Sequence, residues 1–250
     1  MREAAARRCV AVLGGSFDPV HAGHLALASY FAKWLVPDEL RILPAGNPWQ
    51  KPALGASAEH RVAMARLAFG GLAMPVVIDE QEVRRDTPTY TIDTIRELRQ
   101  ELGGDASIAF IIGADQLQRL DTWKEWRSLF DATHLCVASR PGFNLDAASI
   151  PAEVAREFRR REASADQMRG SPHGLTHIAT ALQFDVAATE IRTLLQAGPQ
   201  ETAKPDAAAQ AQLRRLLPDA VLDYIKQHHL YENEWTSKNC KPSSSTPSKT

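Results

Sequence analysis

VAVLGGSFDPVHAGHL, residues 10–25, decides how the rest of the chain is read. A short apolar run from Cys9 to Leu13 breaks at Gly14-Gly15, and His21 and His24 follow where a new apolar periodicity begins. This pattern predicts a strand, a glycine turn and a helix start. Glycine lets backbone N–H groups approach a bulky anion closely. The first turn of a helix adds unpaired N–H groups and the positive end of its dipole. Positions i and i+3 share a helix face, so the two imidazoles can address one object. The stretch describes a phosphate site, with Gly14 and Gly15 at its turn and two proton-capable donors beside it. It lacks the Gly-Lys-Ser/Thr of a Walker A loop and the G-x-G-x-x-G of a dinucleotide fingerprint. A histidine pair can also ligate zinc, but only Asp18, on the same turn, is placed as a third ligand, so no protein-bound metal is expected.

Apolar segments of strand and helix period alternate outward from this stretch. A helix through Leu35 ends at Pro37, and Glu39–Leu43 is a strand. The loop PAGNPWQKP, residues 44–52, carries Lys51, a candidate anion contact or a solvated lysine. A helix over 57–69 is capped by Ser57 and closed by Gly70-Gly71. Residues 74–78 form a strand, and 80–86 are charged and expected to be exposed. Thr87–Thr91 is a loop running into a helix that Gly103-Gly104 ends. SIAFII, residues 107–112, is apolar at every position, as in a parallel strand buried on both faces. It ends in Gly113-Ala114-Asp115, which places Asp115 on the rim beyond the strand ends, where open α/β sheets bind ligands. Trp123 offers a flat face to a planar ring or packs in the core. A strand over 133–138 ends in Ser139-Arg140-Pro141-Gly142, where Arg140 is a candidate phosphate fork or a surface residue.

Residues 151–163 read as an exposed, charge-rich helix. Glutamates surround Arg159-Arg160-Arg161, which favours a solvated face over a nucleic-acid patch. Residues 164–174 are expected to be a loop, a last strand is expected near 180–184, and Ala188-Thr189-Glu190-Ile191-Arg192 opens a helix. Residues 199–211 read as a mobile connection and 219–230 as a closing amphipathic helix. The expectation is one α/β domain over 9–231, doubly wound and Rossmann-like, with a mostly parallel sheet and helices on both faces. Its C-terminal part, about 187–231, is helical. Residues 1–8 are expected to fray and 233–250 to be disordered.

Composition bounds the classes. The 250 residues are 44% hydrophobic and 24% charged, as in an ordinary globular protein. A net charge of -1 argues against a bulk nucleic-acid binder. Cys9, Cys136 and Cys240 are few and far apart, which suits a reducing cytosol rather than a disulfide framework. No apolar run approaches the roughly 20 residues of a membrane span, and the first eight residues lack the apolar core of a secretory signal. A cytoplasmic protein without membrane or nucleic-acid partners is expected; oligomeric state is left open.

Gly15, Phe17, Pro19, His21, Gly23 and His24 match the G-x-F-x-P-x-H-x-G-H signature of the nucleotidyltransferases related to class I tRNA synthetases. The remaining segments come in the order of one family within that group. They are Asn47-Pro48 with Lys51, TPTYT at 87–91, FIIGAD at 110–115, TW at 122–123, SRPG at 139–142 and ATEIR at 188–192. From about residue 9 to 231 the chain resembles bacterial nicotinate-nucleotide adenylyltransferase. The resemblance implies adenylyl transfer from ATP to nicotinate mononucleotide, giving deamido-NAD and pyrophosphate, with Mg2+ accompanying ATP. It implies that His21, His24 and Arg192 hold the triphosphate and the charge developing in transfer, with Thr189 beside Arg192. Gly15, Ser16 and Phe17 would contact the nucleotide substrate. Thr89, Tyr90, Asp115 and Trp123 would shape the mononucleotide pocket, and Arg140 would lie near the phosphates.

Two positions depart from the family pattern. Ala187 stands where a serine is usual, and Gln50 where a histidine precedes the basic residue of the early loop. Other readings stay open on the residues alone: a transferase using nicotinamide mononucleotide or another phosphorylated acceptor, a nucleotide-binding regulator with weakened catalysis, or a nucleic-acid module built on residues 159–161.

Overall fold

The computed structural model describes residues 7–46, 54–139, 144–180, 187–196 and 207–232. Lys51, Arg140 and the tail from 233 lie outside the described residues. Strands β1 (Cys9–Gly15), β2 (Glu39–Pro44), β3 (Val76–Ile78), β4 (Ser107–Gly113), β5 (His134–Ala138) and β6 (Thr176–Ala179) form one sheet in the order β3-β2-β1-β4-β5-β6. Every pairing is parallel. β1 thus lies between β2, where Gly15 pairs with Pro44, and β4, where Leu13 pairs with Ile111. The chain winds outward from β1 in both directions. That switch of direction leaves a crevice past the carboxyl ends of β1 and β4, the ligand position of doubly wound sheets.

Alternation along β1 explains its position. Cys9, Ala11 and Leu13 face one core, and Val10 and Val12 face the other. The first core is closed by α1 (Ala22–Leu35), α2 (Ala58–Phe69), α6 (Ala165–Gly170), α7 (Ala188–Gln196), α8 (Ala207–Leu216) and α9 (Asp219–Gln227). The second is closed by α3 (Thr91–Leu102), the four-residue α4 (Ala114–Leu117), short 3-10 turns at 120–122 and 126–131, and α5 (Ala152–Arg161). Covering both faces of a parallel sheet requires strands apolar at nearly every position, as β4 is.

Ser57 caps α2 and Gly103 ends α3 with φ 87°, as expected from the sequence. Other expectations need correcting. Residues 164–174 are not all loop, because Ser164 and Gln167 form a capping box that starts α6. The last strand is Thr176–Ala179, ahead of the expected 180–184, of which 181–184 lie outside the described residues. Residues 207–211, expected in a mobile connection, begin α8, whose Leu213 is buried. Residues 80–86 are not uniformly exposed, since Glu82 is buried. Arg8 is held rather than frayed: its carbonyl accepts from Ser107 N–H at 2.8 Å and its guanidinium meets Glu39 at 2.6 Å. Arg160 and Arg161 bond Glu157, and Arg159 bonds Asp146, so each arginine of the basic run is paired with a carboxylate.

Candidate active site

β1 ends in Gly14-Gly15 because side chains there would collide. A Cβ on Gly14 would lie 3.1 Å from the Phe110 ring, and one on Gly15 3.1 Å from the Phe17 ring. The chain then turns through Phe17, whose φ of 49° is a conformation a bulky side chain rarely adopts. Complete burial of the Phe17 ring holds it there. The ring packs edge-on against His24, centroids 4.9 Å apart, and against Phe69 at 5.9 Å. Phe17 therefore acts through the loop and His24, with no ring surface exposed to a substrate.

His21 caps α1 and stacks on His24, centroids 3.7 Å apart at 26°. The His21 N–H donates to His24 Nδ1 at 3.2 Å, so the neutral His24 ring carries its proton on Nε2. Burial pushes His21 down to about 4. Its buried Nδ1 has no hydrogen-bond partner among the described residues. The sequence read His21 as one of two proton-capable donors; in the free protein burial holds it as a neutral imidazole, which hydrogen-bonds without carrying charge.

Arg192 comes to the same loop from α7. Its Nη1 donates to the main-chain carbonyl of Asp18 at 2.6 Å, and its Nη2 to Thr189 Oγ1 at 3.2 Å. Thr189 and Arg192 are i and i+3 on α7, which puts them on one face. Ala187 precedes the helix, and its carbonyl accepts from Glu190 and Ile191 N–H at 3.0 and 3.3 Å. The absent serine hydroxyl would therefore stand at a helix cap.

The other predicted residues stand on the turn after β4, the loop before α3 and the 3-10 segment beyond β4. Asp115 is exposed in the first turn after β4 and accepts from the Gln116 side chain at 2.8 Å. Tyr90 caps α3, with Lys124 Nζ 4.9 Å above its ring. Trp123 is half-buried beside the second core, and its buried Nε1 has no partner among the described residues. Thr89 is buried, and its side chain bonds Glu82. The structure thus groups Gly14, Gly15, Ser16, Phe17, His21, His24, Thr189 and Arg192 around one loop; Tyr90 and Trp123 lie beside the second core, Asp115 follows β4, and Thr89 packs by Gly46 at the end of β2.

Three residues with roles here escaped the sequence reading. Asp18, weighed there only as a metal ligand, is a buried hub: it accepts from Gly55 N, Ala56 N and the Tyr231 hydroxyl at 2.8, 3.0 and 2.7 Å. Arg61 is fully buried and donates to the Ser16 carbonyl at 2.9 Å, with burial lowering its pKa. Glu82 bonds Thr94 Oγ1 at 2.8 Å, Thr89 and the Gly46 backbone, and burial raises its pKa against those bonds. It ties the end of β2 to the loop before α3. No sequence periodicity marks these residues, because partners such as Thr94 for Glu82 and Tyr231 for Asp18 lie 12 and 213 positions away.

Among the described residues no group of three or more His, Cys, Asp or Glu side chains forms a metal site. The Asp18 carboxylate is already committed to three donors.

Strand order, glycine turn and paired imidazoles at the start of α1 define an α/β nucleotidyltransferase. The cytidylyltransferase-like family model matches residues 12–194. A relative from Herminiimonas arsenicoxydans, bearing the name "probable nicotinate-nucleotide adenylyltransferase", is 55% identical over 226 residues, 90% of this chain and 98% of its own. One of the same name from Chromobacterium violaceum is 41% identical over 89% of this chain and 98% of its own. A solved Plasmodium falciparum nicotinic acid mononucleotide adenylyltransferase, complexed with NaAD, superposes with a TM-score of 0.65 at 14% identity, covering 90% of this chain and 98% of that one. The chain belongs to the nicotinate-nucleotide adenylyltransferase family.

Proposed function

We propose that the chain transfers the adenylyl group of ATP to nicotinate mononucleotide in NAD biosynthesis. A 5′-phosphate oxygen of the mononucleotide attacks the α-phosphorus of ATP. The bond to the α,β-bridging oxygen breaks, and pyrophosphate leaves with that electron pair. The nucleophile is already an anion, so no strong base is needed. The chain's task is to align two polyanions and offset their repulsion.

One observation carries this reading: Arg192, 174 positions away in sequence, is bonded to Asp18 inside the loop that supports the stacked His21–His24 pair. A permanent cation and imidazole N–H donors then face the outer phosphates from two elements. Lys51 and Arg140 extend this set in the proposal, and Thr89, Tyr90, Asp115 and Trp123 form the mononucleotide pocket, with Trp123 stacking on the pyridine ring. Gly15 and Ser16 approach the nucleotide through their backbone. A divalent cation, Mg2+ in this proposal, enters with ATP and neutralises phosphate charge. The names of the relatives support this substrate pair, as do the NaAD and APC complexes of the Plasmodium protein. We assign the reaction to the cytosol, which suits the buried thiols of Cys9 and Cys136.

An acceptor panel tests the proposal. The protein, ATP and Mg2+ are incubated with nicotinate mononucleotide, nicotinamide mononucleotide or phosphopantetheine, and pyrophosphate and dinucleotide are scored. Strong preference for the nicotinate form is expected. ATP binding without product, or preference for another acceptor, overturns it.

A further inference from the structure

We propose that Tyr231 is a positioning residue for adenylyl transfer: by holding the Asp18 carboxylate, its hydroxyl keeps Arg192 available to the triphosphate. The inference rests on the function proposed above and assigns a task to the C-terminal end of the fold.

Tyr231 follows α9 with φ 66°, a backbone conformation rare for a bulky residue, yet it is buried. Its place is made by Gly55, where a Cβ would lie 2.9 Å from the Tyr231 ring. The hydroxyl reaches Asp18 Oδ1 at 2.7 Å. Burial and the adjacent Asp18 charge push its pKa up, so it stays a donor at any working pH. Asp18, 3% exposed, takes its other bonds from Gly55 and Ala56 N–H.

Arg192 touches this residue at two points of unequal strength. Nη1 is bonded to the Asp18 carbonyl at 2.6 Å, but it stands 3.8 Å from carboxylate Oδ2. The carboxylate is satisfied by Tyr231 and two backbone donors, so it has no need of the guanidinium. Remove the hydroxyl, and a buried carboxylate is short of a donor beside a cation. Attraction between the two at low dielectric favours a direct ion pair. The guanidinium would then turn toward Asp18 and its charge would be spent inside the protein. The loss falls on ATP, whose phosphates Arg192 addresses, and not on the mononucleotide.

The test compares wild type, Tyr231→Phe, Arg192→Ala and the double variant by steady-state kinetics, each shown folded by circular dichroism at the assay temperature. Tyr231→Phe should lower kcat/KM for ATP about tenfold, the scale of one hydrogen bond to a charged group, and leave the KM for nicotinate mononucleotide within about twofold. In the Arg192→Ala background the same change should cost less than about twofold, because both act on one interaction. A merely structural role would lower the melting temperature without this ATP-selective loss. If Tyr231→Phe does not fold, Gly55→Ala, which displaces the ring, is held to the same ATP-selective pattern. Wild-type ATP kinetics, equal losses for both substrates, or a tenfold effect persisting without Arg192 would overturn the inference. A wild-type protein that forms no dinucleotide from nicotinate mononucleotide would defeat the proposed function itself, and the inference with it.

Discussion

His21 lies on His24 with ring centroids 3.7 Å apart, and its own backbone N–H fixes the tautomer of its partner. The pair is one unit: the His21 ring is held neutral by burial, and the His24 ring is braced edge-on by Phe17. An N–H donor is thereby set at a helix start without a charge that must be desolvated when ATP binds.

That arrangement predicts a large catalytic effect from a small cut. His24→Ala should lower turnover at least about a hundredfold, a barrier rise of about 2.7 kcal/mol, with folding retained. Near-normal turnover in this variant, measured by pyrophosphate release, would remove the imidazole pair from the chemistry.

His134 predicts how stability varies with pH. Leu175 N–H donates to its Nδ1 at 3.1 Å and its Nε2 donates to the Ser171 carbonyl at 3.0 Å, so the buried ring is neutral. Burial pushes it down to about 4. Between pH 6.5 and 4 the unfolded chain binds a proton that the folded chain refuses, so stability falls as pH falls. One such ring costs about 2 kcal/mol at pH 5 relative to neutral pH. Urea unfolding at pH 7 and pH 5 should show this loss, and His134→Gln should reduce it. An unchanged slope in that variant would rule the ring out as its source.

Ala187 stands just before α7 with its carbonyl already accepting helical bonds. Ala187→Ser supplies the missing cap and should stabilise the start of α7 by about 1 kcal/mol. Slower amide exchange over 188–192 and a lower KM for ATP are the expected signs. Unaltered exchange would show that the alanine costs nothing.

Gly46 and Gly71 should respond oppositely to alanine. A Cβ on Gly46 would sit 2.0 Å from the Glu82 carbonyl oxygen, whereas one on Gly71 meets nothing within 4 Å. Gly46→Ala should cost about 3 kcal/mol or fail to fold, and Gly71→Ala should change stability by less than about 0.5 kcal/mol. Equal melting temperatures for the two variants would contradict the close crossing of the β2 end over the Glu82 segment.

The sheet was legible because its strands are continuous apolar runs and its turns carry glycine, so β1, β4 and β5 fall within two residues of the expected places. The order of short motifs disclosed the family. What was illegible is the support beneath the motifs. Glu82 sits in a stretch of charges that looks solvated, and only the fold reveals that Thr89, Thr94 and the Gly46 backbone surround it. Tyr231 follows an amphipathic helix like any closing residue, and its bond to Asp18 spans 213 positions. The burial that neutralises His21 is likewise a property of packing, because a lone sequence assigns an imidazole its solution pKa.

The central claim is tested most directly by a competition in one tube. ATP labelled at the α-phosphate is supplied with Mg2+ and equal amounts of nicotinate and nicotinamide mononucleotides. The account predicts that the label passes into the deamido dinucleotide while unlabelled pyrophosphate accumulates in equal amount. Label remaining in ATP, appearing as free AMP, or passing mainly into the amide dinucleotide would contradict it.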